Sequence, residues 1–484
     1  MSESKKTAPS TLGLLLNGEF ADHATKKKVP IIGGIFGWMS ANNMDYGLAA
    51  AVIAFALLVS SVLVFGVSLG QILSLFFALT PVWLPIILFL LFFSKWMDMV
   101  GTAFALSQGR TTLRIRLPQE VLKSPEAMEI VISQIHNTAN PDNLLQTYLD
   151  GKRPLSVSLE IVSIGGEVRF YVNVPTKKVR DAIESNLYAQ YPGVEVIEEP
   201  VDYAAEIPLD FESQDYEIMS FHMGKKKSSA LPIKTYIDYG LDKLPKEEEK
   251  IDPITPMLEV LSTAKPHERV FMQIICVPFR TSSLNNGQLM LGESPDWTKE
   301  GIDMIDKILN RDPKTKLPKG QNKDDQEDFV GVSLTAGEKD TVSAIERNIS
   351  KYAYKTAIRW LYITKKGKFN GDFISPMIRS FSQYDLIGRN AVGVRWRTDF
   401  NYKDFIPGRK KKVLKDLKTQ ELKEYRRRSY SSKSGADDYK IFTTEELATM
   451  FHLPGAVAMT PTLDRVSSTR AEAPANLPIG ELPQ

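Results

Sequence analysis

From Tyr46 to Ser94 the chain carries no charged residue, and no other feature limits its possible folds so strongly. The run reads "YGLAAAVIAFALLVSSVLVFGVSLGQILSLFFALTPVWLPIILFLLFFS". A membrane-crossing helix needs about 20 apolar residues, because each rises about 1.5 Å and the hydrocarbon core is about 30 Å thick. The run has room for two such helices, interrupted by "GVSLGQ" at Gly66 to Gln71. It predicts a transmembrane hairpin within 46–95, with helices over 47–67 and 73–94 and with Trp83 and Trp96 as anchors at the membrane interface. Lys5, Lys6 and Lys26 to Lys28 precede the hairpin, and Lys95, Arg110, Arg114 and Arg116 follow it. Positive flanks on both sides predict a multi-pass protein of the cytoplasmic (inner) membrane, both termini cytoplasmic and residues 1–45 a cytoplasmic segment. The competing reading is a buried helical hairpin of a soluble protein.

The remaining sequence is long enough for two or more folded units within a chain of 484 residues. A single cysteine, Cys276, excludes an intrachain disulfide framework, and its setting in "FMQIICVPF" predicts a buried structural thiol. Five scattered histidines show no metal-ligand spacing, so no metal and no cofactor is expected.

After the hairpin the periodicities alternate. "TLRIRLP" reads as a strand, and Ser124-Pro125 as the start of a helix whose face is Met128, Val131, Ile132 and Ile135. "PLSVSLEIVSIGGEVRFYVNVP" reads as a hairpin turned at Gly165-Gly166. A second helix ends at Pro192-Gly193 before a last strand. The order β-α-β-β-α-β over 108–203 is the ferredoxin-like split unit. A second α/β body is expected over 214–407. Its strands include "EIMSFHM", "IKTYIDY", "RVFMQIICVPF", "TAIRWLYIT" and "AVGVRWRT", and a charged insert near 311–328 reads as disordered. Thr335 with Glu338 and Thr443 with Glu446 have capping-box spacing. The fold class is thus α+β: a transmembrane hairpin, two ferredoxin-like domains and an extended C-terminal tail.

No Walker motif and no nucleophile-base constellation is present, which argues against an enzyme. The segment 408–434 is the densest in charge, with ten basic and three acidic residues from Arg409 to Arg428. Arg409, Lys410, Lys411, Lys412, Arg426, Arg427 and Arg428 are candidates for contact with anionic lipid or nucleic acid. The segment 440–484 holds the short helix of "TTEELATMFHLPG" and the proline-spaced "PANLPIGELPQ". Leu447, Met450 and Phe451 face one way on that helix, which needs a surface to dock on.

The stretches "LRIRLPQEVLKSPEAMEI", "EIVSIGGEVRFYV", "YAQYPGVEVIE", "LTAGEKDTVSAIERNISKY", "TTEELATMFHLPG" and "PANLPI" occur in this order. Together they resemble the N-terminal half of the conjugative coupling proteins of bacterial type IV secretion systems. In fused members of that family the stretch like "PANLPI" leads into a RecA-like motor. Here the sequence ends at Gln484 without a P-loop. The resemblance therefore implies a non-catalytic, membrane-anchored adaptor that recruits a P-loop motor ATPase in trans. Docking would run through Leu447, Met450, Phe451, Pro474, Asn476, Leu477 and Pro478. The expected partners are the cytoplasmic membrane, the motor, further copies of the chain and DNA. The alternatives are a membrane tether that binds nucleic acid directly and a self-assembling envelope scaffold.

Overall fold

A computed structural model describes residues 69–78, 80–118, 121, 123–136, 141, 143–177, 179–213, 215–243, 251–279, 296–311, 334–398, 409–430, 439–455 and 462–466. The expected first membrane helix, the N-terminal segment, nearly all of the charged insert and the tail beyond Val466 lie outside these residues, as does the side chain of Trp83.

The first two elements are the helices α1 (Leu69–Ala78) and α2 (Thr80–Gln108). Among the described residues no helix is long and apolar enough to cross a membrane, which overturns the expected multi-pass inner-membrane placement. The physical reason lies in where the expected second span ends: the uncharged part of α2, from Thr80 to Ser94, rises only about 22 Å, against a core of about 30 Å. Beyond Ser94, α2 carries Lys95 and Asp98 and seats itself on protein. Trp96, expected at a membrane interface, donates its indole N–H to the Tyr148 carbonyl at 2.7 Å.

Strands β1 (Arg110–Arg116), β2 (Val157–Ile164), β3 (Glu167–Pro175) and β4 (Glu195–Glu198) form one half of a sheet. Helices α3 (Glu126–Ile135) and α4 (Leu144–Tyr148) lie between β1 and β2, and α5 (Arg180–Gln190) lies between β3 and β4. The expected hairpin closes through Gly165 and Gly166, at φ +62° and +96°, values that the missing Cβ makes accessible. Helix α3 begins one residue later than expected. Pro125 is its N-cap, without a side-chain cap from Ser124.

The second half has the same element order with a large insertion. It comprises β5 (Tyr216–Lys225), α6 (Thr255–Ser262), β6 (Glu268–Pro278), α7 (Trp297–Ile308), α8 (Ala336–Ile349), β7 (Ala353–Lys365), α9 (Ile374–Arg379) and β8 (Val392–Arg397). The stretch 233–239, expected as a strand, is a chain of turns instead. The Asp238 carboxylate accepts from the Thr235 N–H, and the Ile233 and Lys234 N–H groups bond outside any ladder. Last come α10 (Arg409–Arg427), β9 (Lys440–Thr443) and α11 (Thr444–Met450).

The segments expected as two separate domains share one antiparallel sheet, in the order β4-β1-β3-β2-β6-β7-β5-β8, with β9 added on β7. The halves join where β2 pairs β6, from Val157↔Cys276 to Ile164↔Arg269. Read outward from that seam, both halves run second, third, first, fourth strand. One face of the sheet carries the main core, roofed by α3, α5, α6, α9 and α11. Cys276 is buried there, its thiol pushed up to about 12 by loss of solvent. The other face is covered by α10 and the 3-10 turn Tyr203–Glu206.

Candidate functional site

Side chains alternate across a sheet, so each strand offers one residue per level to a given face. At one level of the α10-covered face the register aligns Arg114, Tyr171, Glu160, Gln273, Arg359, His222 and Trp396, each directly opposite the next. This rung crosses the seam between the halves. Its four central members, Glu160, Gln273, Arg359 and His222, are fully buried. Ionised groups removed from water lose several kcal/mol of solvation and persist only where paired and hydrogen-bonded. The end of α10 and the residues just after it supply those partners.

Glu160 accepts from Ser158 Oγ at 2.6 Å, Tyr203 O–H at 2.6 Å, Gln273 Nε2 at 2.9 Å, and Arg428 Nε and Nη2 at 3.0 and 3.1 Å. The Arg428 guanidinium also pairs with Asp202. On the other side of the seam, Arg359 lies 3.2 Å from Glu421 and donates to Glu424 and the Ser429 carbonyl, both at 3.0 Å. His222 Nε2 is 2.7 Å from Glu421. Ser220 donates its hydroxyl to the same Glu421 carboxylate at 3.0 Å. Chemically the rung is a clamp: it ties one helix to both halves of the sheet at once.

Two phenols belong to the clamp. The Tyr203 and Tyr425 hydroxyls lie 2.5 Å apart beside Glu160. Burial, reinforced by that carboxylate, raises both well above the ordinary value near 10. Tyr354 and Tyr384 are likewise raised by burial. A folded-state pKa above the unfolded one gives stability that is complete below pH 10 and is lost as pH rises toward the folded values. In an alkaline titration followed at 295 nm, these phenolates should therefore appear together with loss of near-UV circular dichroism. Their ionisation while the fold stays intact would contradict this burial.

The basic segment divides between its two faces. Arg428, expected as a lipid or nucleic-acid contact, is instead buried in the clamp, and Arg426 donates to the Ala204 and Ala205 carbonyls. Charge counting could not separate these two from Lys411, Lys412 and Arg427, which are exposed. The side chains of Arg409 and Lys410 lie outside the described residues.

The expected docking helix finds its surface inside this chain. Leu447, Met450 and Phe451 are fully buried in the main core, with Phe451 edge-on to Phe170, and so are not available to a partner. The Thr443–Glu446 capping box forms as its spacing predicts. Glu446 also accepts from Lys225 Nζ at 2.8 Å and the Ile233 N–H at 3.0 Å. Burial lowers the Lys225 pKa, against the pull of Glu446. Glu445 accepts from Thr235 and pairs with Arg347.

Beyond α11 the chain is caught once more. Leu117 N–H donates to the Asp464 carbonyl, Val466 N–H to that of Leu117, Asp464 N–H to that of Val168, and Val168 N–H to that of Thr462. The Asp464 carboxylate lies 2.7 Å from Arg114 and 3.3 Å from Arg116. The residues after Val466 thus leave from a defined point at the ends of β1 and β3. Pro474, Asn476, Leu477 and Pro478 lie outside the described residues.

Sequence reasoning passed over Glu160, Gln273, Arg359 and His222. The available signal was one polar residue inside each of four apolar runs, "SLEIV", "FMQII", "AIRWLYI" and "SFHM". A family model for a domain of unknown function matches residues 103–466, from within α2 to the last clamped residue of the tail. No curated protein matches the chain.

Proposed function

The chain belongs to the family Domain of unknown function (DUF8128), and from its geometry we propose that it is a non-catalytic adaptor of a type IV secretion-like or conjugative transfer machine. In this reading it engages a RecA-like motor ATPase through the residues that follow Val466. Each half of the sheet is read as a ferredoxin-like unit, and the two together form one rigid platform joined at β2 and β6.

The observation that carries the proposal is the fastening at 462–466. Four backbone hydrogen bonds and the Asp464 carboxylate between two arginines set where the polypeptide leaves the platform. Whatever binds the tail is thereby tethered to the ends of β1 and β3. The sequence "EAPANLPIGELPQ", with three prolines, has less conformational entropy to lose on binding than a proline-free segment of its length. The removal of α11 from the docking surface narrows the expected contact to Pro474, Asn476, Leu477 and Pro478.

The test is deletion of residues 472–484. The shortened chain should keep its unfolding midpoint, because the fastened segment 462–466 stays in place, and should lose co-purification with a P-loop ATPase from its own cell extract. Retained co-purification would refute the proposal.

A further inference from the structure

Helix α2 has two faces of different character. One is seated: Trp96 bonds to Tyr148, Phe93 lies tilted against the Tyr148 ring, and Val100 is buried. Gly101 lies against the Arg153 guanidinium, and Val100 against Gly151, so closely that a Cβ at either glycine would collide. The other face carries Leu88, Phe92, Met99 and Leu106, exposed by 54, 62, 56 and 77 %. Phe92, Met99 and Leu106 are spaced by seven residues, and Leu88 precedes Phe92 by four. Lys95, between Phe92 and Met99, and Asp98, on the flank, are exposed and have no ion-pair partner among the described residues.

A seven-residue repeat of large apolar groups is the pattern of a helix that meets another helix of the same period, since 3.5 residues per turn keep the seam in contact along its length. The stripe extends for about 27 Å, enough for several interlocking layers. We propose that α2 pairs antiparallel with α2 of a second copy of this chain. The second copy has the required period by construction, and charge sets the direction. In a parallel pair Lys95 would face Lys95. In an antiparallel pair centred between Lys95 and Asp98, each lysine meets the aspartate of the other copy, so the contact forms twice. The four-carbon stem of lysine lets the ammonium leave the apolar seam to reach that flank. This inference makes no use of the tail and stands or falls independently of the motor proposal.

Light scattering on the full chain over a concentration series tests it. Up to about 100 µM the mass should rise to twice that of one chain, the range expected of a seam this short. Met99→Lys with Leu106→Lys should hold the chain monomeric, with an unchanged circular dichroism spectrum because both side chains are exposed. Lys95→Glu should weaken dimerisation by about tenfold, and Lys95→Glu with Asp98→Lys should restore it, since the swap rebuilds both pairs. A monomeric parent chain would overturn the proposal. So would a dimer that survives the double lysine variant; the stripe would then be covered by another segment, such as the uncharged residues 46–68. A charge swap no better than Lys95→Glu alone would overturn the antiparallel arrangement.

Discussion

Replacing Arg428 with methionine is expected to lower the stability of the fold by about 3–5 kcal/mol, the usual consequence of leaving a buried charge without its partner. The group left behind is Glu160, fully enclosed at the seam between the two halves of the sheet. It would keep the hydroxyls of Ser158 and Tyr203 and the amide of Gln273, but would lose both charge-assisted bonds from the guanidinium. Asp202 would lose its cation as well. Adding Glu160→Gln to the variant should recover a large part of the loss, because the neutral amide does not need a counter-charge. Urea unfolding of the two single variants and the double variant gives the coupling directly. A midpoint for Arg428→Met close to that of the parent would mean that the clamp does not hold α10.

The second large effect is expected at Lys225, whose ammonium is wholly buried between Glu446, the Ser229 carbonyl at 2.9 Å and the ring of Phe442 at 4.9 Å. Lys225→Met preserves the stem and removes the charge. Glu446 would retain the N–H groups of Ile233 and Thr443, so the loss should sit toward the lower end, about 3 kcal/mol. Lys225→Met with Glu446→Gln should come close to the parent, since a buried ion pair replaced as a unit is often neutral. Hydrogen exchange at α11 provides the local readout. Protection there should fall in Lys225→Met and return in the double variant. If exchange in α11 does not change, the pair does not anchor that helix.

What could be read from the sequence was local. The turn at Gly165-Gly166 needed only two adjacent residues, and the Thr335–Glu338 and Thr443–Glu446 boxes only a spacing of three; all three form. The seam between β2 and β6 is different. It pairs residues more than a hundred positions apart, and nothing in either strand marks its partner, since both are simply apolar and β-prone. The same blindness applied to α10 and α11. A charge count over Arg409 to Arg428 cannot show that Glu421, Glu424 and Arg428 turn inward. A seven-residue helix buried on every side has no exposed face to reveal its orientation. The expected membrane placement failed for another reason. Averaged hydropathy passes over the onset of protein packing at Trp96.

The order in which this chain closes on itself also bears on its synthesis. Helices α10 and α11 and the fastened segment 462–466 leave the ribosome after both halves of the sheet, yet they fill the core of one face, cover the other and bind β1, the first strand among the described residues. The nascent sheet must wait for them, half-roofed, with apolar surface open to solvent throughout elongation. Emergence of residue 466, rather than of either half, is thus the earliest moment at which the native state can form, and a ribosome stalled before codon 466 would leave an aggregation-prone product.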